Sequence, residues 1–251
     1  MTQQSGSTPA SDHPEQPRQA QMVEQTNKPA KSHKPTKNLY EPYDTPMWFW
    51  VAFRTVARFI FFLKLRVHLV GLNNVPKQGA FIIASNHLSW MDVPLVPAYL
   101  KRKVVYMAKE ELFYGKGGWV VRLMGAFPVK RGEADRQSLR VADSQLKAGK
   151  VFMIFPEGTR SKNRQLGQGH VGLGMIALRA AVPVVPVAIW GSENTFKKLR
   201  PDVTISYGEP VLLTPRGKKM TREDIEDATN EVMRRIAAMM PPSYRGMYGD
   251  S

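Results

Sequence analysis

The residues best suited to chemistry lie in the run Asn86-His87-Leu88-Ser89-Trp90-Met91-Asp92. A histidine can take a proton from an alcohol near neutral pH, and a neighbouring carboxylate fixes the tautomer of the ring and stabilises its cation. On a continuous helix a five-residue offset turns through about 500°, leaving the two side chains roughly 140° apart. His87 and Asp92 can therefore pair only across a turn. Ser89, Asp92 and Pro94 are residues that suit a turn leading into a helix. With five His and nine Asp in the chain, a His-x4-Asp spacing arises by chance about 0.2 times, so the pair alone does not define a site. Ser85 and Ser89 stand close enough in sequence to make a Ser-His-Asp hydrolase the rival reading, although the chain has no G-x-S-x-G elbow.

A base of this kind needs elements that hold it at the edge of a core. The apolar run Phe81-Ile82-Ile83-Ala84 before His87 reads as a buried strand, and open α/β sheets bind ligands just past their strand ends. Short Val- and Ile-rich runs predict strands at 67–72, 80–85, 104–108, 151–155, 184–189 and 203–207. Helical periodicity predicts helices near 93–100, 117–124, 133–148, 170–181 and 222–239. That alternation implies a mixed, largely parallel sheet flanked by helices. Pro183 and Pro186 bracket a Val-rich run, which on its own reads as an edge strand or strand start that happens to contain proline.

Composition sets the limits. The 251 residues suffice for one sizeable domain plus a tail. The absence of cysteine excludes disulfides, thiolate metal sites and cysteine nucleophiles. Residues 1–45 are polar and Pro-rich and read as a disordered tail, and the stretch past 240 as a loose C-terminus. Residues 46–65 contain MWFWVAFRTVARFIFFLKL, dense in aromatics, with Arg54 and Arg58 four apart on one helical face. Such a helix lies in a membrane interface; two mid-segment arginines argue against its spanning the bilayer. The bland alternative is a helix that only packs on the domain. A net charge of +15 attracts polyanions, whether nucleic acid, an anionic membrane face or a phosphorylated substrate. No zinc-finger spacing or RNP-type aromatic motif supports nucleic acid.

Three further blocks follow the first in order: Gly125-Ala126-Phe127-Pro128-Val129-Lys130-Arg131, Phe155-Pro156-Glu157-Gly158-Thr159-Arg160-Ser161 and Val182-Pro183-Val184-Val185-Pro186-Val187. Together the four resemble the blocks of the glycerolipid acyltransferase (PlsC-like) family across about residues 66 to 210. The resemblance implies a glycerol-3-phosphate acyltransferase-like α/β domain at 66–240, preceded by the interfacial helix. It also implies direct transfer of a fatty acyl group to the sn-2 hydroxyl of 1-acyl-sn-glycerol 3-phosphate, giving phosphatidic acid, or acylation of another lysolipid or glycerol 3-phosphate. His87 would be the general base and Asp92 its partner. Arg131, Glu157, Gly158, Thr159, Arg160 and Lys109 match substrate-binding positions. Arg131 and Arg160 would take phosphate, and Glu157 would orient an arginine or a substrate hydroxyl. Main-chain N–H groups near Gly158 would serve the oxyanion. The implied cosubstrate is acyl-CoA or acyl-carrier protein, with no metal or bound cofactor. The implied partners are a lysophospholipid and the bilayer, at the cytoplasmic face of the cell membrane, and not nucleic acid. A catalytically dead membrane-binding protein is a further alternative. One departure stands out: His170-Val171-Gly172 replaces the Lys-x-Gly common in the family, which weakens a cationic contact to the acceptor headgroup.

Overall fold

The computed structural model describes residues 40–129 and 135–249. The expected tail over residues 1–39 lies outside them, as does Arg131. Helix α1 (Met47–Lys64) leads into strand β1 (Arg66–Val70). Then follow β2 (Phe81–Ser85), α2 (Asp92–Ala98), β3 (Val104–Lys109), α3 (Gly118–Leu123), β4 (Ala126–Val129), α4 (Arg136–Lys147) and β5 (Val151–Ile154). The chain closes with α5 (Gly172–Ala180), β6 (Val184–Trp190), β7 (Asp202–Tyr207) and α6 (Arg222–Met239).

The seven strands form one sheet in the order β1-β7-β6-β2-β5-β3-β4. Every pair is parallel except β6–β7. The mixed, largely parallel sheet expected from the sequence is therefore the observed one. β2 lies at its centre and is buried along its whole length, which is why it is apolar rather than alternating. Its side chains divide by parity. Phe81 and Ile83 enter a core shared with Phe61 of α1 and Leu95 of α2, while Ile82 and Ala84 enter one shared with Leu146, Leu173 and Ile236 of α4, α5 and α6. The result is a three-layer domain with helices on both faces.

Three expectations change. β4 is an additional strand, pairing with β3 from Tyr106↔Ala126 to Lys109↔Val129. Its Pro128 is tolerated because β4 is a sheet edge. β6 is internal, not an edge. Its Pro186 sits just outside the β6–β7 ladder, which begins at Val187↔Tyr207, and its carbonyl still accepts the Gly208 N–H at 2.9 Å. The C-terminus is packed through residue 249. Tyr248 is buried, Leu166 N–H donates to the Tyr244 carbonyl at 2.8 Å, and the Tyr244 hydroxyl donates to Glu193 at 2.7 Å. Tyr40 and Thr45, placed in the tail by composition, are likewise buried, and Thr45 donates to the Leu123 carbonyl at 2.6 Å.

α1 packs through Trp50, Ala57 and Phe61. Arg54 and Arg58 share a face as expected, but that face turns toward α2. Arg54 donates to the Leu100 carbonyl just past the α2 C-terminus, and the Arg58 guanidinium lies 5.6 Å from the Tyr99 ring centre. Carbonyls at a helix end lack helical partners and carry partial negative charge, so arginines are drawn there. Outward, α1 instead shows Trp48, Val51, Val56, Phe59, Ile60, Phe62 and Leu63. Among the described residues no helix is long and apolar enough to cross a membrane.

Candidate active site

β2, β3, β4, β5 and β6 end on one edge of the sheet, and the residues singled out for chemistry gather there. The chain leaves β2 at Ser85 and turns at Ser89, where Asp92 N–H donates to the Ser89 carbonyl at 3.1 Å and opens α2. That turn brings His87 Nδ1 to 3.0 Å from Asp92 Oδ2. The same oxygen accepts the main-chain N–H groups of Leu88 at 2.6 Å and Ser89 at 2.7 Å, so Asp92 shapes the turn as well as the ring. Its other oxygen, Oδ1, is buried and accepts nothing among the described residues. A carboxylate only accepts, so Nδ1 carries the proton and Nε2 is left as the basic nitrogen. His87 is 6% exposed and its ring stacks on Phe155, with centres 4.1 Å apart and planes 21° apart.

The loop after β5 folds over this histidine. Glu157 Oε1 accepts the His87 main-chain N–H at 2.8 Å, and Oε2 accepts Gly167 N–H at 2.9 Å. Ser161 N–H donates to the His87 carbonyl at 2.8 Å. Glu157 therefore grips the main chain that carries His87, and among the described residues its carboxylate is in no ion pair with an arginine. Burial pushes its carboxyl above the ordinary value, while the two main-chain N–H bonds pull it back. Asn86 adds a second clamp: its amide donates to the Ile189 carbonyl at 2.8 Å and accepts the Ile189 N–H at 2.7 Å, tying the histidine turn to β6.

The remaining candidates divide. Arg160 is exposed, with its guanidinium 4.4 Å from the centre of the Trp90 ring, so it stands beside the histidine turn. Thr159 is exposed next to it. Gly158 has φ +64°, and its N–H donates to the Phe155 carbonyl at 3.0 Å, so that donor is not free for an oxyanion. A Cβ on Gly158 would meet the His170 ring at 2.9 Å, which puts the departing histidine directly against the third block. Lys109 ends β3, two strands from β2 and hence about 10 Å away across the sheet. It forms an ion pair with Glu111 at 2.9 Å. Ser85 is fully buried with its hydroxyl given to the Asn86 carbonyl at 3.0 Å, and the Ser89 hydroxyl accepts Met91 N–H at 3.3 Å; neither is bonded to His87. That arrangement disfavours the serine hydrolase. Among the described residues no group of three or more His, Asp or Glu side chains could hold a metal ion.

Sequence reasoning did not single out Asn86 or Phe155 as site residues. Both lie within the quoted blocks, but their roles depend on β5 and β6 flanking β2, which local spacing does not show.

A buried His–Asp pair at the carboxyl edge of such a sheet is an arrangement able to act as a general base. A protein family described as Acyltransferase matches residues 66–190. A 1-acyl-sn-glycerol-3-phosphate acyltransferase of Bacillus subtilis is 34% identical over 182 residues, covering 69% of this chain and 89% of the relative. One of Streptococcus pneumoniae is 31% identical over 171 residues, 66% of this chain, and the chain spans 62% of its length. The crystal structure of the 1-acyl-sn-glycerophosphate (LPA) acyltransferase PlsC of Thermotoga maritima superposes with a TM-score of 0.61 at 31% identity, covering 74% of this chain and 76% of that one. The chain belongs to the acyltransferase family.

Proposed function

We propose that this protein acylates the sn-2 hydroxyl of 1-acyl-sn-glycerol 3-phosphate, drawing the acyl group from acyl-CoA or acyl-carrier protein and yielding phosphatidic acid. The observation that carries this reading is the 3.0 Å His87–Asp92 contact behind an imidazole with no serine nucleophile beside it. The names borne by the relatives supply the acceptor.

In the reaction, Nε2 of His87 takes the proton of the lysolipid hydroxyl as its oxygen attacks the thioester carbonyl. Asp92 stabilises the imidazolium that forms. The tetrahedral intermediate collapses by breaking the C–S bond, and the imidazolium returns the proton to the leaving thiolate. Arg160 and Arg131 bring guanidinium groups suited to a phosphate headgroup. The exposed apolar face of α1 would dock the domain on the cytoplasmic leaflet, where the lysolipid resides. His170, in place of a lysine, favours a second reading in which the acceptor is a lysolipid with a less charged headgroup.

Purified protein given one labelled acyl-CoA and a panel of acceptors tests both readings. Preferred use of 1-acyl-sn-glycerol 3-phosphate is the expected result. Failure to acylate it, with robust use of another lysolipid, would overturn the acceptor. Trapping of an acyl-serine would overturn the mechanism.

A further inference from the structure

A second exposed surface stands at the same edge of the sheet as His87. The loop joining β6 to β7, residues 191–201, reads GSENTFKKLRP. Phe196 is 78% exposed and Leu199 92%, the two most exposed large apolar side chains among the described residues. Lys197, Lys198 and Arg200 are interleaved with them, and among the described residues none of the three is in an ion pair. The nearby acids are engaged elsewhere: Asp202 with His68 and Arg66, and Glu193 with Tyr244.

The loop is held in place. Its base is a helical turn at Ser192–Asn194, where the Thr195 hydroxyl donates to the Ser192 carbonyl at 2.6 Å. The N–H groups of Lys197 and Lys198 donate to the Asn194 carbonyl at 2.9 and 3.0 Å. Arg200 sits at φ +48°, a region that residues other than glycine rarely enter, and its guanidinium donates to the Phe62 carbonyl at 3.3 Å. That bond joins the loop to the last turns of α1, where Phe59, Phe62 and Leu63 are exposed. The loop and the C-terminal end of α1 are thus tied together at the carboxyl edge, and each exposes large apolar side chains.

We propose that the 191–201 loop is a second membrane foot. Phe196 and Leu199 enter the acyl boundary of an anionic bilayer, and Lys197, Lys198 and Arg200 meet its headgroups. With α1 it sets the carboxyl edge of the sheet against the lipid, so that an acceptor reaches His87 without leaving the interface. The inference rests on the reading that α1 docks on the bilayer. An acidic carrier protein could meet the same lysines, but Phe196 and Leu199 at the tip, on a loop tied to the exposed apolar end of α1, fit acyl chains.

The test is cosedimentation of the full chain with vesicles of phosphatidylcholine, with and without phosphatidylglycerol. Removing the apolar tip, in Phe196→Ser with Leu199→Ser, should weaken binding to both vesicle types about a hundredfold or more, as expected for two fully inserted side chains. Lys197→Gln with Lys198→Gln should remove several-fold of the preference for phosphatidylglycerol. The thermal midpoint of each variant should stay with the parent, since all four side chains stand off the core. A Phe59→Ser, Phe62→Ser variant of α1 separates the two readings. If it loses vesicle binding while both loop variants bind like the parent, the foot is overturned and the docking of α1 stands. If neither set matters, both fall. Unchanged vesicle binding with lost use of an acyl-carrier-protein donor would assign the loop to the donor and also overturn the proposal.

Discussion

Asp92 does two jobs with one oxygen, and this makes its substitution informative. Oδ2 accepts from His87 and from two main-chain N–H groups, while Oδ1 is buried and unbonded. An asparagine can turn its carbonyl toward the three donors and leave its NH2 where Oδ1 now lies. Asp92→Asn should therefore keep the fold within about 1–3 kcal/mol yet lower kcat by about 10²–10⁴-fold, because the imidazolium loses its counter-charge. His87→Ala should lose at least as much, and steady-state assays with unfolding midpoints check both. Glu157 behaves differently. In Glu157→Gln an NH2 must face one of the two main-chain N–H groups, costing about 1–3 kcal/mol. Burial holds the Glu157 carboxyl above its unfolded value, so the folded chain keeps that proton to higher pH. The associated stability is complete below the unfolded value and is lost as pH rises through the folded one. Urea midpoints between about pH 4 and pH 7 should show the gap between parent and variant narrowing as pH rises. The spacing of His87 and Asp92 was legible in sequence because the turn between them is local. The grip of Glu157 on His87, seventy residues away, was not, because a carboxylate in a loop gives no local sign of which main-chain N–H it will meet.

At the level of elements, buried strands announced themselves as short Val- and Ile-rich runs and the helices by their periodicity. β4 stayed hidden because Pro128 reads as a breaker unless the strand is known to be an edge, and Pro186 misled in the opposite sense because only the register shows that the ladder to β7 starts one residue later. The amphipathic reading of α1 found its apolar face but put its arginines in the wrong place, since sequence does not show the carbonyl end of α2 beside Arg54. The α5–α6 packing offers a test at this scale. A Cβ on Gly174 would lie 2.1 Å from the Ile225 carbonyl oxygen and 2.7 Å from the Thr229 hydroxyl, so no side chain fits without parting the helices. Gly174→Ala should cost about 1–3 kcal/mol despite the better helix propensity of alanine, read as a lower urea midpoint. An unchanged or raised midpoint would mean that the two helices separate at little cost.

For the molecule as a whole, the proposed docking would draw on both charge and apolar surface. The first 39 residues hold five Lys or Arg and three Asp or Glu, so +13 of the +15 belongs to residues 40–251. Residues 1–39 are thus a minor source of the net charge, most of which belongs to the part of the chain that also carries α1 and the 191–201 loop. The two forces respond oppositely to salt. Attraction to a charged leaflet is confined to the Debye length, about 10 Å at 0.1 M and about 3 Å at 1 M. Insertion of apolar side chains is not weakened by screening. If both operate, raising salt over that range should cut affinity for phosphatidylglycerol-containing vesicles at least tenfold and leave affinity for phosphatidylcholine vesicles nearly constant, so that the two converge. Cosedimentation of the full chain at each salt concentration measures it. Equal salt dependence on both vesicle types would mean that the field is not aimed at headgroups. No dependence on either would leave the apolar face of α1 and its neighbouring loop as the whole of the docking force, with the large positive charge reserved for the anionic substrates.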